Sequence, residues 1–175
     1  PCDIVELKKI AREYKLTLIE DAAESLGSFY NGKHTGTFGE MGIISFNGNK
    51  TITTGGGGAI ITNDRKIAQK AKYLSTTAKE NHPFIFFHKE VGYNYRMPNL
   101  NAALGCAQIE KLPIILQMKK HLNLRYKNAL SKVQHILFLD EETFPGSNFW
   151  LQTILLDKTH LRYQKPIIEK CIEAG

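Results

Sequence analysis

MGIISFNGNKTITTGGGGAII, residues 41–61, decides how this chain folds. Its two ends, GIISF (42–46) and GAIIT (58–62), are short apolar runs rich in β-branched residues, the pattern of strands packed into a sheet. Between them the chain turns polar, offers one amine at Lys50, and then runs through Gly55, Gly56, Gly57 and Gly58. Glycine tolerates positive φ and close backbone approach. The four therefore read either as a flexible return or as a place where N–H groups come up to an anion. A P-loop does not fit, because Lys50 follows Asn49 where a glycine is required and the glycines come after the lysine.

Working outward, Asp3 and Glu6 stand at cap-like spacing before apolar residues that recur at helical intervals, which predicts a helix over 4–14. LTLIE (16–20) predicts a strand that ends abruptly in Asp21. A glycine-rich segment comes next, with a turn at Asn31-Gly32. Downstream of the opening stretch, Asn63-Asp64 caps a helix reaching about residue 74, and two further helices are expected over 98–111 and 114–130, separated by Pro113. The end adds a strand within FWLQTILL (149–156) and a helix over 164–174. Strands interleaved with helices argue for an α/β sheet covered on both faces. The loss of the strand and glycine pattern near Pro113 divides the chain into 1–112 and 113–175.

Composition narrows the function classes. With 175 residues and 42% hydrophobic content the chain can bury a core, and no apolar run approaches the roughly 18 residues a membrane helix needs. PCDIVELKK has neither the basic start nor the apolar centre of a secretory signal, so a cytoplasmic location is expected. Cys2, Cys106 and Cys171 form no CxxC pair and read as reduced thiols, Cys106 as a small buried hydrophobe on a helix. The net charge of +6 is scattered along helical patterns, which argues against a nucleic-acid partner. His34, His82 and His88 lack partners at metal-ligand spacing, so no metal is expected, though one of them could line a pocket. Phe84, Phe86 and Phe87 read as core or dimer contacts, Met97 and Trp150 as packing.

In open α/β sheets ligands sit outside the carboxyl ends of the strands. That rule gathers Asp21, Ser45, Asn47 and Lys50 at one rim, where an acid, a hydroxyl and an amine converge. Taken singly, the aspartate reads as a turn residue, the serine as a strand hydroxyl and the lysine as solvated.

EDAAESLGS (20–28), GTFGEMGIISFNGNK (36–50), TTGGGGAIITND (53–64) and GYNYRMPNLNAALGCAQIEKL (92–112), in this order, resemble the pyridoxal phosphate-dependent sugar aminotransferases of the DegT/DnrJ/EryC1/StrS family. The resemblance implies a fold-type I protein, with part of the three-layer α/β/α large domain over 1–112 and, over 113–175, a linking helix and the start of a smaller α+β domain. It also implies an N-terminal portion before Pro1, carrying an aromatic residue over the cofactor ring and a Gly-Thr/Ser pair on its phosphate.

The family's residues carry over by position. Lys50 matches the Schiff-base lysine, Asp21 the carboxylate that pairs with the pyridine nitrogen, and Ser45 a hydroxyl on the phosphate. Asn94 matches an asparagine that reaches the phosphate of the neighbouring subunit, which implies a homodimer with shared sites. Glu24 stands where the commoner spelling has a glutamine donating to the ring's phenolic oxygen. A carboxylate donates only when protonated, so Glu24 is expected to hold or share a proton.

The implied activity is amino transfer from an amino acid, glutamate first, to a keto carbon of a nucleotide-linked 4-keto-6-deoxy sugar in glycan biosynthesis. SFNGNK and TTGGGG look most like the perosamine and legionaminic branches, which points to carbon 4. Some relatives are sugar dehydratases, but in those a histidine replaces the lysine. A regulatory or truncated relative that holds no cofactor alone is the other reading.

Overall fold

The computed structural model describes residues 2–175; Pro1 lies outside the described residues. Helix α1 spans Ile4–Glu13, and the Asp3 carboxylate accepts from the Glu6 N–H at 3.1 Å, as the cap spacing predicted. Strand β1 is Ile19–Asp21, shorter and later than LTLIE. It pairs in parallel with β4, Met41–Ser45, with Ile19 opposite Met41 and Asp21 opposite Ile43. Before Ile19 the neighbouring segment is still turning, and Glu40 N–H donates to Leu18 O at 2.9 Å, so regular pairing starts only there. Asp21 is the last residue of the strand, which ends there as expected.

Between these strands lies a small hairpin of β2 (Phe29–Tyr30) and β3 (Lys33–His34). Its two-residue turn has positive φ at both Asn31 (49°) and Gly32 (77°), the conformation the Asn-Gly pair favours. The loop leading into β4 wraps the Glu20 carboxylate, which accepts from the N–H groups of Gly36 (2.6 Å), Phe38 (2.5 Å) and Gly39 (2.7 Å). Glu20 thus fixes the entry to β4 by satisfying three backbone donors with one side chain.

Strand β5, Gly58–Ile61, runs antiparallel to β4 and completes a sheet of order β1-β4-β5. The glycines before it have a geometric cause. Gly55 and Gly57 take φ of 79° and 97°, and at Gly58 a Cβ would lie 2.5 Å from Ile44 O. Ile44 is buried, whereas Ile19, Ile43 and Ile60 share the opposite face and stay 51%, 41% and 53% exposed. Coverage of both faces was expected; among the described residues this second face is open.

Helix α2, Arg65–Ser75, starts where predicted, with the Asp64 carboxylate accepting from Lys66 N–H at 2.6 Å and Ile67 N–H at 3.2 Å. The two helices expected around Pro113 are one, α3, spanning Asn99–Leu130. Proline removes one N–H and crowds the carbonyl four residues back, a cost of about 3 kcal/mol. A long run of favourable helix formers on both sides can absorb that without ending the helix.

At the far end of α3, the fully buried Asn123 donates to Leu139 O (3.0 Å) and Gln152 Oε1 (2.8 Å). These bonds dock the helix on a second small sheet of β6 (Ile136–Phe138) and β7 (Ile154–Leu156). Strand β7 is only the last part of the predicted 149–156 run, because Phe149 adopts φ of 48° and turns the chain. A 3₁₀ turn, Lys158–Tyr163, and helix α4, Gln164–Glu173, finish the chain.

Two carboxylates in this region are held well below the ordinary range. Asp140 is bonded by Lys127 (2.7 Å) and by the N–H and hydroxyl of Thr143 (3.0 and 2.9 Å). Asp157 is bonded by Thr159, His160 and His135, whose imidazoles stack with centroids 3.8 Å apart. A carboxyl whose folded pKa is depressed adds stability above its unfolded value of about 4, and loses it as pH falls further. Asp140→Asn is therefore expected to lower the urea midpoint at pH 7, with the gap to wild type closing as the buffer is taken below about pH 4. A gap that stays constant with pH would contradict it.

All three cysteines are free and exposed, so Cys106 is not the buried hydrophobe expected from its helix position. Phe84, Phe86 and Phe87 are likewise exposed within this chain, which rules out a role in its own core. Among the described residues no helix is long and apolar enough to cross a membrane.

Candidate active site

Asp21 and Ser45 end adjacent parallel strands. Because Asp21 lies opposite Ile43, and residues two apart on a strand share a face, the two side chains rise from the same side of the sheet. Ser45 Oγ accepts from Asn47 N–H at 3.3 Å, and Asn47 O accepts from Lys50 N–H at 3.1 Å. This tight turn brings the lysine back to the rim. Beyond the lysine the chain dives inward: Thr51, Ile52 and Thr54 are buried, and Asn101 of α3 donates to Thr54 O at 2.5 Å. Lys50 thus grows from an anchored platform.

Asp21 Oδ1 accepts from Ala23 N–H at 3.2 Å, so it also shapes the turn that carries Glu24 back toward the lysine. Glu24 Oε1 lies 3.1 Å from Lys50 Nζ. The two are unequally covered, the lysine side chain 15% exposed and the glutamate 63%. The cover over Lys50 comes from an unexpected source. Its Nζ stands 4.3 Å from the ring centroid of Trp150, and Trp150 Nε1–H donates to Asn49 O at 2.6 Å. The tryptophan read from sequence as packing is a direct neighbour of the amine.

Asn148, two residues earlier, is buried and joins the pieces. Its Nδ2 donates to Glu24 O (2.8 Å) and Leu26 O (3.0 Å), its N–H donates to Ser28 Oγ (3.0 Å), and its Oδ1 accepts from Trp150 N–H (3.0 Å). No local pattern in SNFWLQ announces this role. Its partners in the Glu24–Ser28 segment lie more than a hundred residues away along the chain.

Four of the sequence-derived residues, Asp21, Glu24, Ser45 and Lys50, therefore meet at one rim. Asn94 does not join them: it is exposed and bridges Thr76 beyond the end of α2. The three histidines singled out from the sequence, His34, His82 and His88, bond the backbone. His34 Nε2 accepts from Gly27 N–H at 2.8 Å, His82 Nδ1 accepts from Ile85 N–H at 3.0 Å, and His88 Nδ1 bonds Thr77 O at 2.7 Å.

A mixed α/β sheet with an amine and two carboxylates at its rim matches part of the large-domain architecture of fold-type I proteins, and comparison with known proteins agrees. The chain matches the DegT/DnrJ/EryC1/StrS aminotransferase family over residues 1–175, and it belongs to that family. It is 42% identical over 172 residues, 97% of its length, to EpsN of Bacillus subtilis, which bears the name of a pyridoxal phosphate-dependent aminotransferase. It is 36% identical over 155 residues, 89% of its length, to GDP-perosamine synthase of Escherichia coli O157:H7. Among solved structures, PseC of Helicobacter pylori, an aminotransferase in pseudoaminic acid biosynthesis, superposes on the whole chain with a TM-score of 0.94 at 27% identity. The chain spans 44%, 42% and 47% of these three relatives' own lengths.

Proposed function

We propose that the full-length protein is a pyridoxal phosphate-dependent aminotransferase that moves an amino group from glutamate to carbon 4 of a nucleotide-linked 4-keto-6-deoxy sugar. The observation that carries the reading is the half-buried Lys50 amine, 3.1 Å from Glu24, at the strand rim that also bears Asp21 and Ser45. The donor set fits the cofactor: an amine for an aldehyde, a carboxylate for a protonated ring nitrogen, a hydroxyl for a phosphate oxygen. When bound, the cofactor supplies an electron sink for the carbon that loses or gains the amino group.

Each residue then has a task. Lys50 Nζ would hold the cofactor covalently and, when free, would carry the proton. Its fixed stem keeps that proton within reach. The Asp21 carboxylate would hold a proton on the ring nitrogen by its fixed negative charge. Ser45 Oγ would donate to phosphate, and Glu24, whose carboxylate lies 3.1 Å from the amine, would serve the ring's oxygen. Asn94, exposed and outside this rim, fits a role toward a second subunit, so we propose a homodimer acting in the cytoplasm. We also propose that 1–112 is part of the cofactor-binding large domain and that 113–175 forms the linking helix and start of the smaller domain.

The resemblance implies a histidine at this position for a sugar dehydratase, and the lysine present here does not favour that chemistry. The test is direct. The purified full-length protein should be yellow, and borohydride reduction should fix the cofactor to the peptide carrying Lys50. A label elsewhere, or no chromophore, would overturn the reading. Labelled glutamate with a panel of nucleotide 4-keto sugars then settles donor and acceptor.

Glu24 gives a graded prediction. Glu24→Ala removes a hydrogen bond to a charged group, worth about 1.5–3 kcal/mol, and is expected to lower kcat/KM about 10- to 100-fold. Glu24→Gln keeps the length and supplies a donor, and is expected to stay within about tenfold of wild type while the visible absorbance titrates differently with pH. Superimposable titrations would remove Glu24 from the site.

A further inference from the structure

We propose that Trp150 is a positioning residue for Lys50, holding both ends of the lysine's four-carbon stem. At the near end, Trp150 Nε1–H donates to Asn49 O at 2.6 Å, which fixes the peptide that enters Lys50. At the far end, the same indole presents its π-face to Lys50 Nζ, 4.3 Å from the ring centroid. A flexible lysine stem samples many rotamers, and one rigid ring that bonds the peptide at its base and faces the amine at its tip restricts them.

The tryptophan is itself anchored. Its backbone N–H donates to Asn148 Oδ1 at 3.0 Å, and its carbonyl accepts from Lys119 Nζ of α3 at 3.1 Å. Asn148 is in turn bonded to the Glu24 segment, so the ring face and the carboxylate approach the amine from one rigid frame. An ammonium held between a carboxylate and an aromatic face is directed; an ammonium opposed by a carboxylate alone can swing about it.

The inference rests on Lys50 being the cofactor lysine, and its test separates the two. In full-length protein stripped of cofactor, the emission of Trp150 is isolated by subtracting the spectrum of Trp150→Phe. Lys50→Met should then brighten that emission, because an ammonium against an indole ring quenches its excited state. Unchanged emission would show that the two side chains do not meet and would overturn the proposal, whatever the cofactor does. In the loaded enzyme, Trp150→Leu keeps apolar bulk but loses both contacts and should lower kcat about tenfold, with KM for donor and sugar held within about twofold. Trp150→Phe restores the ring face and should recover most of that loss. Equal kcat for the leucine and phenylalanine variants would also overturn it. A borohydride label away from Lys50 overturns the functional reading instead.

Discussion

Lys50→Arg is expected to abolish amino transfer, with a loss of at least about a thousandfold, while the protein still folds. Arginine keeps the positive charge, can pair with Glu24, and stacks on Trp150 at least as well as lysine does. It remains protonated at any working pH, however, so it can neither bond covalently to an aldehyde nor shuttle a proton. Positioned proton transfer alone contributes roughly 10²- to 10⁴-fold, and loss of the covalent anchor adds to that. The measurement is single-turnover amino transfer by the full-length variant, alongside its absorbance after cofactor is added. Residual turnover within about tenfold of wild type would mean that another group does the chemistry.

Asn148→Ala carries the largest expected effect on stability, about 3 kcal/mol. The side chain is buried, its amide donating to Glu24 O and Leu26 O while its oxygen accepts from Trp150 N–H. Alanine leaves two carbonyls and an N–H in a covered site without those partners, at about 1–3 kcal/mol each, with partial relief as water enters. Asn148→Asp should be no better, because a carboxylate would face two carbonyl oxygens where the amide donated. Urea denaturation of the full-length protein reads the loss. Activity should fall with it, since the same bonds set Glu24 and Trp150 against Lys50. An alanine variant as stable as wild type would show that Asn148 fills space and does not hold the frame.

The local features of the chain were legible because their causes are local. Asp3 and Asp64 cap helices through bonds to N–H groups two or three residues away, and Asn31-Gly32 makes its turn from its own backbone preferences. Of the boundaries that moved, that of β1 has a tertiary reason, since it begins where β4 is there to pair with it, whereas α3 runs through Pro113 because the helix formers on either side carry it across.

The site divides in the same way. The chain order of four motifs identified the family, and strand alternation together with the β1–β4 register puts Asp21 and Ser45 on one side of one rim. Whether the lysine after Asn49 would be free or confined could not be read from SFNGNK, because its confinement is supplied from a hundred residues away. By itself the sequence determined the fold class, the family and the residues at the strand ends, since these follow from periodicity, turn chemistry and spelling along the chain. Only the tertiary structure decided that Trp150 covers Lys50, that Asn148 ties it to Glu24, and that Asn94 stands apart. Contacts between distant segments are set by packing, and packing leaves no periodic mark in the sequence.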